Sequence, residues 1–223
     1  MQGFLVLFQP SSLRFLFWGF TVTLQIALTT IVLSFVAGVV LGALRYSKEM
    51  YPRSILAQRV SQLAFYWVEA LRNLPMLLLM LFMRFVSGLP PIWAAIAGMS
   101  LYTSAVLAEV VRGGLLSVDK GQWEAGISQG LTPLQVLRHI VLPQALRNMI
   151  PPFVSQFITV MKDTSYAWAL GIQEITGSGV ILFAKYLNPM QTFIVIAMVF
   201  FITNFSMQLL ARSYERKLAV GKA

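Results

Sequence analysis

The sequence predicts an all-α membrane protein with five transmembrane helices, and three observations carry that expectation. The 223-residue chain is 57% hydrophobic with a mean hydropathy of +0.73, and only 11% of its residues are charged. That is too little charge to cover the surface of a soluble domain. The charges are also clustered: none falls between Arg14 and Arg45, between Arg84 and Glu109, or between Lys185 and Arg212. Each gap exceeds the roughly 20 apolar residues that cross a bilayer core. Backbone groups in lipid must be satisfied within their own segment, which makes these runs helices.

The expected helices run over about residues 15–44, 62–85, 92–111, 149–170 and 187–211, within a single transmembrane domain covering residues 1–223. An odd number of spans places the termini on opposite sides, and the basic residues choose between the two orientations. With the amino terminus outside, the inner side holds Arg45, Lys48, Arg53, Arg59, Arg112, Lys120, Arg138, Arg147, Arg212, Arg216, Lys217 and Lys222. The outer side then holds only Arg14, Arg84 and Lys185. The bias predicts an external amino terminus and a cytoplasmic carboxyl terminus. No signal-peptide pattern opens the chain, so the first apolar run is expected to stay as a span.

The first helix contains Gln25, and the last contains Asn204. Both are expected to hydrogen-bond between helices. In the second, Glu69 and Arg72 stand three residues apart and share a face, as a buried pair would, with Pro75 kinking the helix just beyond them. The longest stretch without a span, between Arg112 and Asn148, reads as two short helices around a turn. Gly130 is suited to a left-handed helix end, Thr132 to an N-cap, and Pro133 to the first helical position. Pro143 is expected to interrupt or end the second short helix. Such a segment suggests a docking surface for a cytosolic partner. The stretch from Gln173 to Asn188 is expected to be an outer connection, with a flexible Gly177-Ser178-Gly179 turn and a brief interfacial helix near Ile181.

Lys162 and Asp163 fall inside the fourth helix. Charges at membrane depth are costly and usually face a partner or a water-filled path. Two readings stand: an ion pair of Lys162 with Glu109, Glu69 or Asp163, or a polar path lined by Lys162, Asp163, Thr164, Ser165 and Glu109.

Several function classes are set aside. The net charge of +9 is spread over the ends of apolar runs rather than gathered in one patch, which does not suit nucleic-acid binding. There is no cysteine, and His139 is the sole histidine, so no metal site is expected. No G-x-x-x-x-G-K-[ST] loop is present to cradle phosphates, and no catalytic constellation of histidines, cysteines or paired carboxylates stands out. Among transporters, a self-contained secondary transporter or channel is the rival to a multi-subunit machine.

Four strings then bring a family into view. Glu124-Ala125-Gly126, followed by Gly130 and by Ile140-Val141-Leu142-Pro143, resembles the EAA signature of ATP-binding cassette (ABC) importer permeases, departing from it only in Gly126, where alanine is usual. Glu69-Ala70-Leu71-Arg72-Asn73-Leu74-Pro75, Ala108-Glu109-Val110-Val111-Arg112-Gly113-Gly114 and Lys162-Asp163-Thr164-Ser165 resemble segments of its polar amino-acid subfamily. The resemblance implies the type I ABC importer transmembrane fold in a bacterial inner membrane. It also implies a pore made with a second permease subunit, identical or related, a solute-binding protein above and an ABC ATPase dimer below. ATP and Mg²⁺ would then belong to the partner, and this chain would be no enzyme and hold no cofactor. The coupling segment is placed at about residues 120–143, with Glu124, Ala125, Gly126, Gly130, Leu131, Thr132, Pro133 and Pro143 as the elements that engage the ATPase. Lys162 would attract the carboxylate of an amino acid, with Asp163, Thr164, Ser165 and Glu109 along the same path.

Overall fold

The computed structural model describes residues 2–220, with side chains from residue 4 to residue 213. Of the basic tail counted above, Arg216 and Lys217 fall where side chains are not described, and Lys222 lies outside the described residues. Ten α-helices follow one another among the described residues: α1 (Gln2–Leu7), α2 (Pro10–Met50), α3 (Ile55–Arg72), α4 (Met76–Phe85), α5 (Pro91–Leu116), α6 (Lys120–Ser128), α7 (Pro133–Val136), α8 (Leu142–Asp163), α9 (Ile175–Tyr186) and α10 (Pro189–Val220). A π-helical turn, Leu137–Val141, joins α7 to α8, and a 3₁₀ helix, Thr164–Leu170, follows α8. The described residues contain no strand.

Three of these helices are long and apolar enough to cross a membrane: α2, α5 and α10 over Pro189–Ser213. Counting α3 with α4, and Pro133–Leu170 with α9, as interrupted spans raises the number to five. The α3–α4 interruption has a local cause. Proline removes the amide of residue 75 and disfavours helix at the residue before it. Asn73 then closes α3, its amide bonding the Glu69 carbonyl at 3.1 Å.

The contacts sort into two compact units. The first gathers the chain up to Ile31, Met76–Ser100 and Phe157–Leu210. Its core includes Leu7, Leu16, Ile175 and Leu182, with Phe15, Phe20 and Val199 packed around them. Glycines let its helices approach: a methyl on Gly19 would strike Ser178 Oγ, and one on Gly98 would lie 2.6 Å from the Met80 Cα. In this unit the expectation of a flexible outer connection is corrected. Residues 175–186 are a 12-residue helix, α9, with Gly177, Ser178 and Gly179 buried in its packed face. The small residues are there for close helix approach rather than flexibility. Likewise, Asn204 donates its amide to the Phe200 carbonyl at 2.7 Å within α10, not across to another helix.

The second unit gathers Val32–Pro75, Leu101–Gln156 and the chain from Ala211 on. Here α2 and α5 pack through small residues. A Cβ on Gly38 would lie 2.6 Å from that of Leu107, and one on Gly42 would lie 2.5 Å from that of Val111. Pro143 does not end the second short helix as expected. It sits in the first turn of α8, where a missing amide is tolerated, and the wider π-helical turn before it carries the chain onward without a break.

Candidate functional site

The segment between α5 and α8 is built almost entirely by local chemistry. The Asp119 carboxylate accepts from the Gly121 amide at 2.7 Å and opens α6. Gly130, at φ +84°, closes it. Its amide donates to the Ile127 carbonyl at 2.9 Å, and the Leu131 amide donates to the Gly126 carbonyl at 3.2 Å. That pair of bonds is the Schellman arrangement, which requires a residue tolerant of the left-handed region. Thr132 then starts α7 with a capping box: Gln135 Oε1 accepts from the Thr132 amide at 2.8 Å, and Thr132 Oγ1 accepts from the Gln135 amide at 3.4 Å. Pro133 takes the first helical position.

Gly126 explains its own departure from the EAA pattern. It is buried where α6 crosses the next helical turn, and a methyl there would lie 2.8 Å from Val136 Cγ2 and 3.0 Å from Ile140 Cδ1. Glu124, Ala125, Gly130, Thr132 and Pro143 are exposed, while Leu131 and Pro133 are half-buried. Glu124 makes no hydrogen bond or ion pair among the described residues. It borders a groove of about 170 Å³ with Tyr46, Glu49, Asp119, Lys120 and Trp123. Leu134, 60% exposed, adds an uncovered apolar side chain to the same segment.

The second unit also holds a charge network. Arg45, only 6% exposed, lies 2.7 Å from Glu109 and 4.0 Å from Glu69 through Nη1. Arg112 Nε donates to both Glu109 oxygens at 3.0 Å, and Arg72 Nη1 donates to Glu69 at 3.3 Å. The Phe65 ring stands 5.2 Å from the Arg45 guanidinium. Glu69 and Arg72 are thus paired side by side, but not buried as expected: Arg72 is exposed and Glu69 half-buried, because Glu69 and Glu109 both turn toward Arg45, which the sequence reading counted only among the inner-side charges. The signal was available: Arg45 falls within one uninterrupted 41-residue helix, α2, once that helix is not ended at its first charge.

In the first unit, Lys162 is exposed on the last turn of α8. Ser165, three residues on, is half-buried, as is Asp163, while Thr164 turns inward and donates to the Met161 carbonyl at 2.8 Å. Lys162 forms no ion pair within 4.0 Å among the described residues. Sequence reasoning also missed Glu174. It is fully buried at the start of α9, and its carboxylate accepts from the Gly177 amide at 2.7 Å, the Thr176 amide at 2.9 Å and Thr23 Oγ1 at 3.3 Å. Thr23 Oγ1 in turn accepts from the Ile175 amide at 3.1 Å. Nearby, Trp18, Gln25, Trp93 and Gln173 line a cleft of about 510 Å³, so Gln25 faces this cleft.

Apolar helices long enough to cross a membrane, with a glycine-closed helical segment between two of them, define a polytopic helical membrane protein. The chain belongs to the family described as the binding-protein-dependent transport system inner membrane component, whose model matches residues 54–220. It is therefore the membrane-spanning permease component of an ABC importer. It is 41% identical to the probable glutamine ABC transporter permease protein GlnP of Bacillus subtilis, over 96% of this chain and 98% of that one. It is 32% identical to the glutamate transport system permease protein GluD of Corynebacterium glutamicum, over 92% of this chain and 74% of that one. In fold it is similar to a chain in the crystal structure of an amino acid ABC transporter with histidines, with a TM-score of 0.84 and 24% identity over 93% of this chain and 95% of that one.

Proposed function

We propose that the chain forms, with a second permease subunit, the translocation path for a polar amino acid delivered by a solute-binding protein, and that a separate ABC ATPase dimer drives it. The names of the glutamine and glutamate permeases among its relatives support the substrate class. The observation that carries the coupling role is the exposed, rigidly closed segment from Asp119 to Val141, which offers Glu124, Ala125, Leu131, Thr132 and Pro133 to a partner and is held by Gly126, Gly130 and the first turn at Pro143. ATP and Mg²⁺ belong to that partner, and this chain contributes no catalytic group.

Lys162 supports the path. An ammonium on an apolar helix is costly against lipid and is retained where it meets a partner or water. We assign it the substrate carboxylate, with Asp163 and Ser165 beside it and Thr164 holding the local turn. Glu109 remains a candidate for the same path, although its carboxylate is already shared by Arg45 and Arg112. The basic residues orient the chain in a bacterial inner membrane with its amino terminus outside. The test is reconstitution of the permease, ATPase and binding protein in vesicles. ATP-dependent uptake of a polar amino acid supports the assignment, and ATP-independent uptake by this chain alone contradicts it.

A further inference from the structure

Where α2 leaves its apolar run, a cleft of about 470 Å³ opens among Arg45, Lys48, Arg112, Gln58, Gln62 and Phe65. Three cations line it, and none of its lining residues is a carboxylate. Both guanidinium groups are held from behind. Arg45 directs Nη1 to Glu109 and Glu69, and Arg112 directs Nε to Glu109. Their other N–H donors have no partner among the described residues, nor does the Gln62 amide. Arg45 is more than nine-tenths buried and fixed against Phe65, so its guanidinium is preorganised.

The charge does not close. Arg45, Arg72 and Arg112 face Glu69 and Glu109, leaving one positive charge in excess. Lys48 is exposed and lies only loosely paired, 3.9 Å from Glu49. Planar guanidinium edges match phosphate oxygens in a two-point fork, and a lysine adds a mobile point charge. Beside the cleft, α3 exposes Leu56, Leu63 and Tyr66, each more than 60% accessible. That apolar surface suits acyl chains.

We propose that this cleft binds a negatively charged phosphate group. The phosphodiester of an anionic phospholipid is the source that the adjoining apolar face fits, and free inorganic phosphate is the other source of the same chemistry. The test uses the full chain in non-ionic detergent with equal amounts of phosphatidylglycerol and phosphatidylcholine, counting retained lipid by native mass spectrometry. Wild-type protein retains phosphatidylglycerol preferentially. The preference falls about fivefold for each cation removed in Lys48→Gln and in Lys48→Gln/Arg112→Gln, and it is unchanged in Arg53→Gln, an exposed basic residue outside the cleft. Should the double variant not fold, Lys48→Gln alone gives the reading. If millimolar phosphate, rather than the lipid, raises the melting temperature of the wild type but not of Lys48→Gln, the site stands with free phosphate as its ligand. Equal retention of both lipids with no effect of phosphate overturns the proposal. So does a preference that falls as far in Arg53→Gln as in Lys48→Gln.

Discussion

Arg45 Nη1 lies 2.7 Å from Glu109 Oε1, and the same nitrogen is 4.0 Å from Glu69. One buried guanidinium on α2 thereby ties together carboxylates from α3 and α5, each of which also carries its own arginine three residues on. Within this unit the arrangement links three helices whose packing faces are otherwise apolar or small, with Gly38 and Gly42 against Leu107 and Val111 and with Ala64 and Val68 buried on α3.

Removing Glu109 leaves the buried Arg45, and Arg112 beside it, without the carboxylate they share. Glu109→Ala is expected to cost about 3–5 kcal/mol, the range for stranding one partner of a buried pair. The expected result is a clear loss of thermal stability in detergent. Glu109→Ala combined with Arg45→Met is expected to recover part of it, because the buried guanidinium is no longer stranded and the remaining Arg112 is partly exposed. A single variant as stable as the parent would mean the pair holds nothing.

Gly130 separates backbone strain from crowding. Its φ is +84° and no atom lies within 4 Å of where a Cβ would be, so a substitution meets only the conformational cost. Asn tolerates the left-handed region and is expected to preserve both ATP hydrolysis and uptake. Val is expected to distort the turn, leaving ATP hydrolysis in place while uptake falls. Equal uptake in the two variants, measured in vesicles, would remove the turn from the coupling role.

Gly177 and Gly179 make a contrasting pair in α9. A methyl at 177 would collide with the Ile172 carbonyl oxygen, part of the backbone, whereas one at 179 would meet Ile196 Cδ1, the end of a flexible side chain. Gly177→Ala is therefore expected to destabilise by about 1–3 kcal/mol, the range for overpacking, and Gly179→Ala by less. Thermal unfolding of the two variants measured in parallel gives the order directly.

Lys162→Ala is expected to assemble normally, because the side chain is exposed and forms no ion pair among the described residues. Its uptake should need about tenfold more substrate, corresponding to ~1.4 kcal/mol of lost attraction for a carboxylate. Lys162→Arg is expected to keep much of the affinity. An alanine variant with unchanged half-saturation would leave Lys162 as a structural charge.

Much of this was legible in the sequence because it is local. The capping box at Thr132 and the glycine turn at Gly130 depend on neighbours a few residues away, and apolar run length reports the long helices directly. What stayed hidden depended on distant partners. Nothing near Glu174 in sequence announces Thr23 as its hydroxyl donor, and nothing near Arg45 announces Glu109. Gly177-Ser178-Gly179 was misread because small residues serve both turns and close helix packing, and only the opposing Gly19, Ile172 and Ile196 decide between them. Pro143 was misread because the π-helical turn ahead of it is invisible to a reading based on regular helical periodicity.

The most direct measurement is purification of the tagged chain from its native membrane in mild detergent, followed by identification of what accompanies it. Co-purification of an ABC ATPase, lost or weakened in Glu124→Lys, is the expected result, since Glu124 is exposed and has no ion pair among the described residues on the segment proposed to dock. A chain that purifies without an ATPase, or keeps the ATPase unchanged in Glu124→Lys and Gly130→Val alike, would contradict the coupling role of residues 119–143.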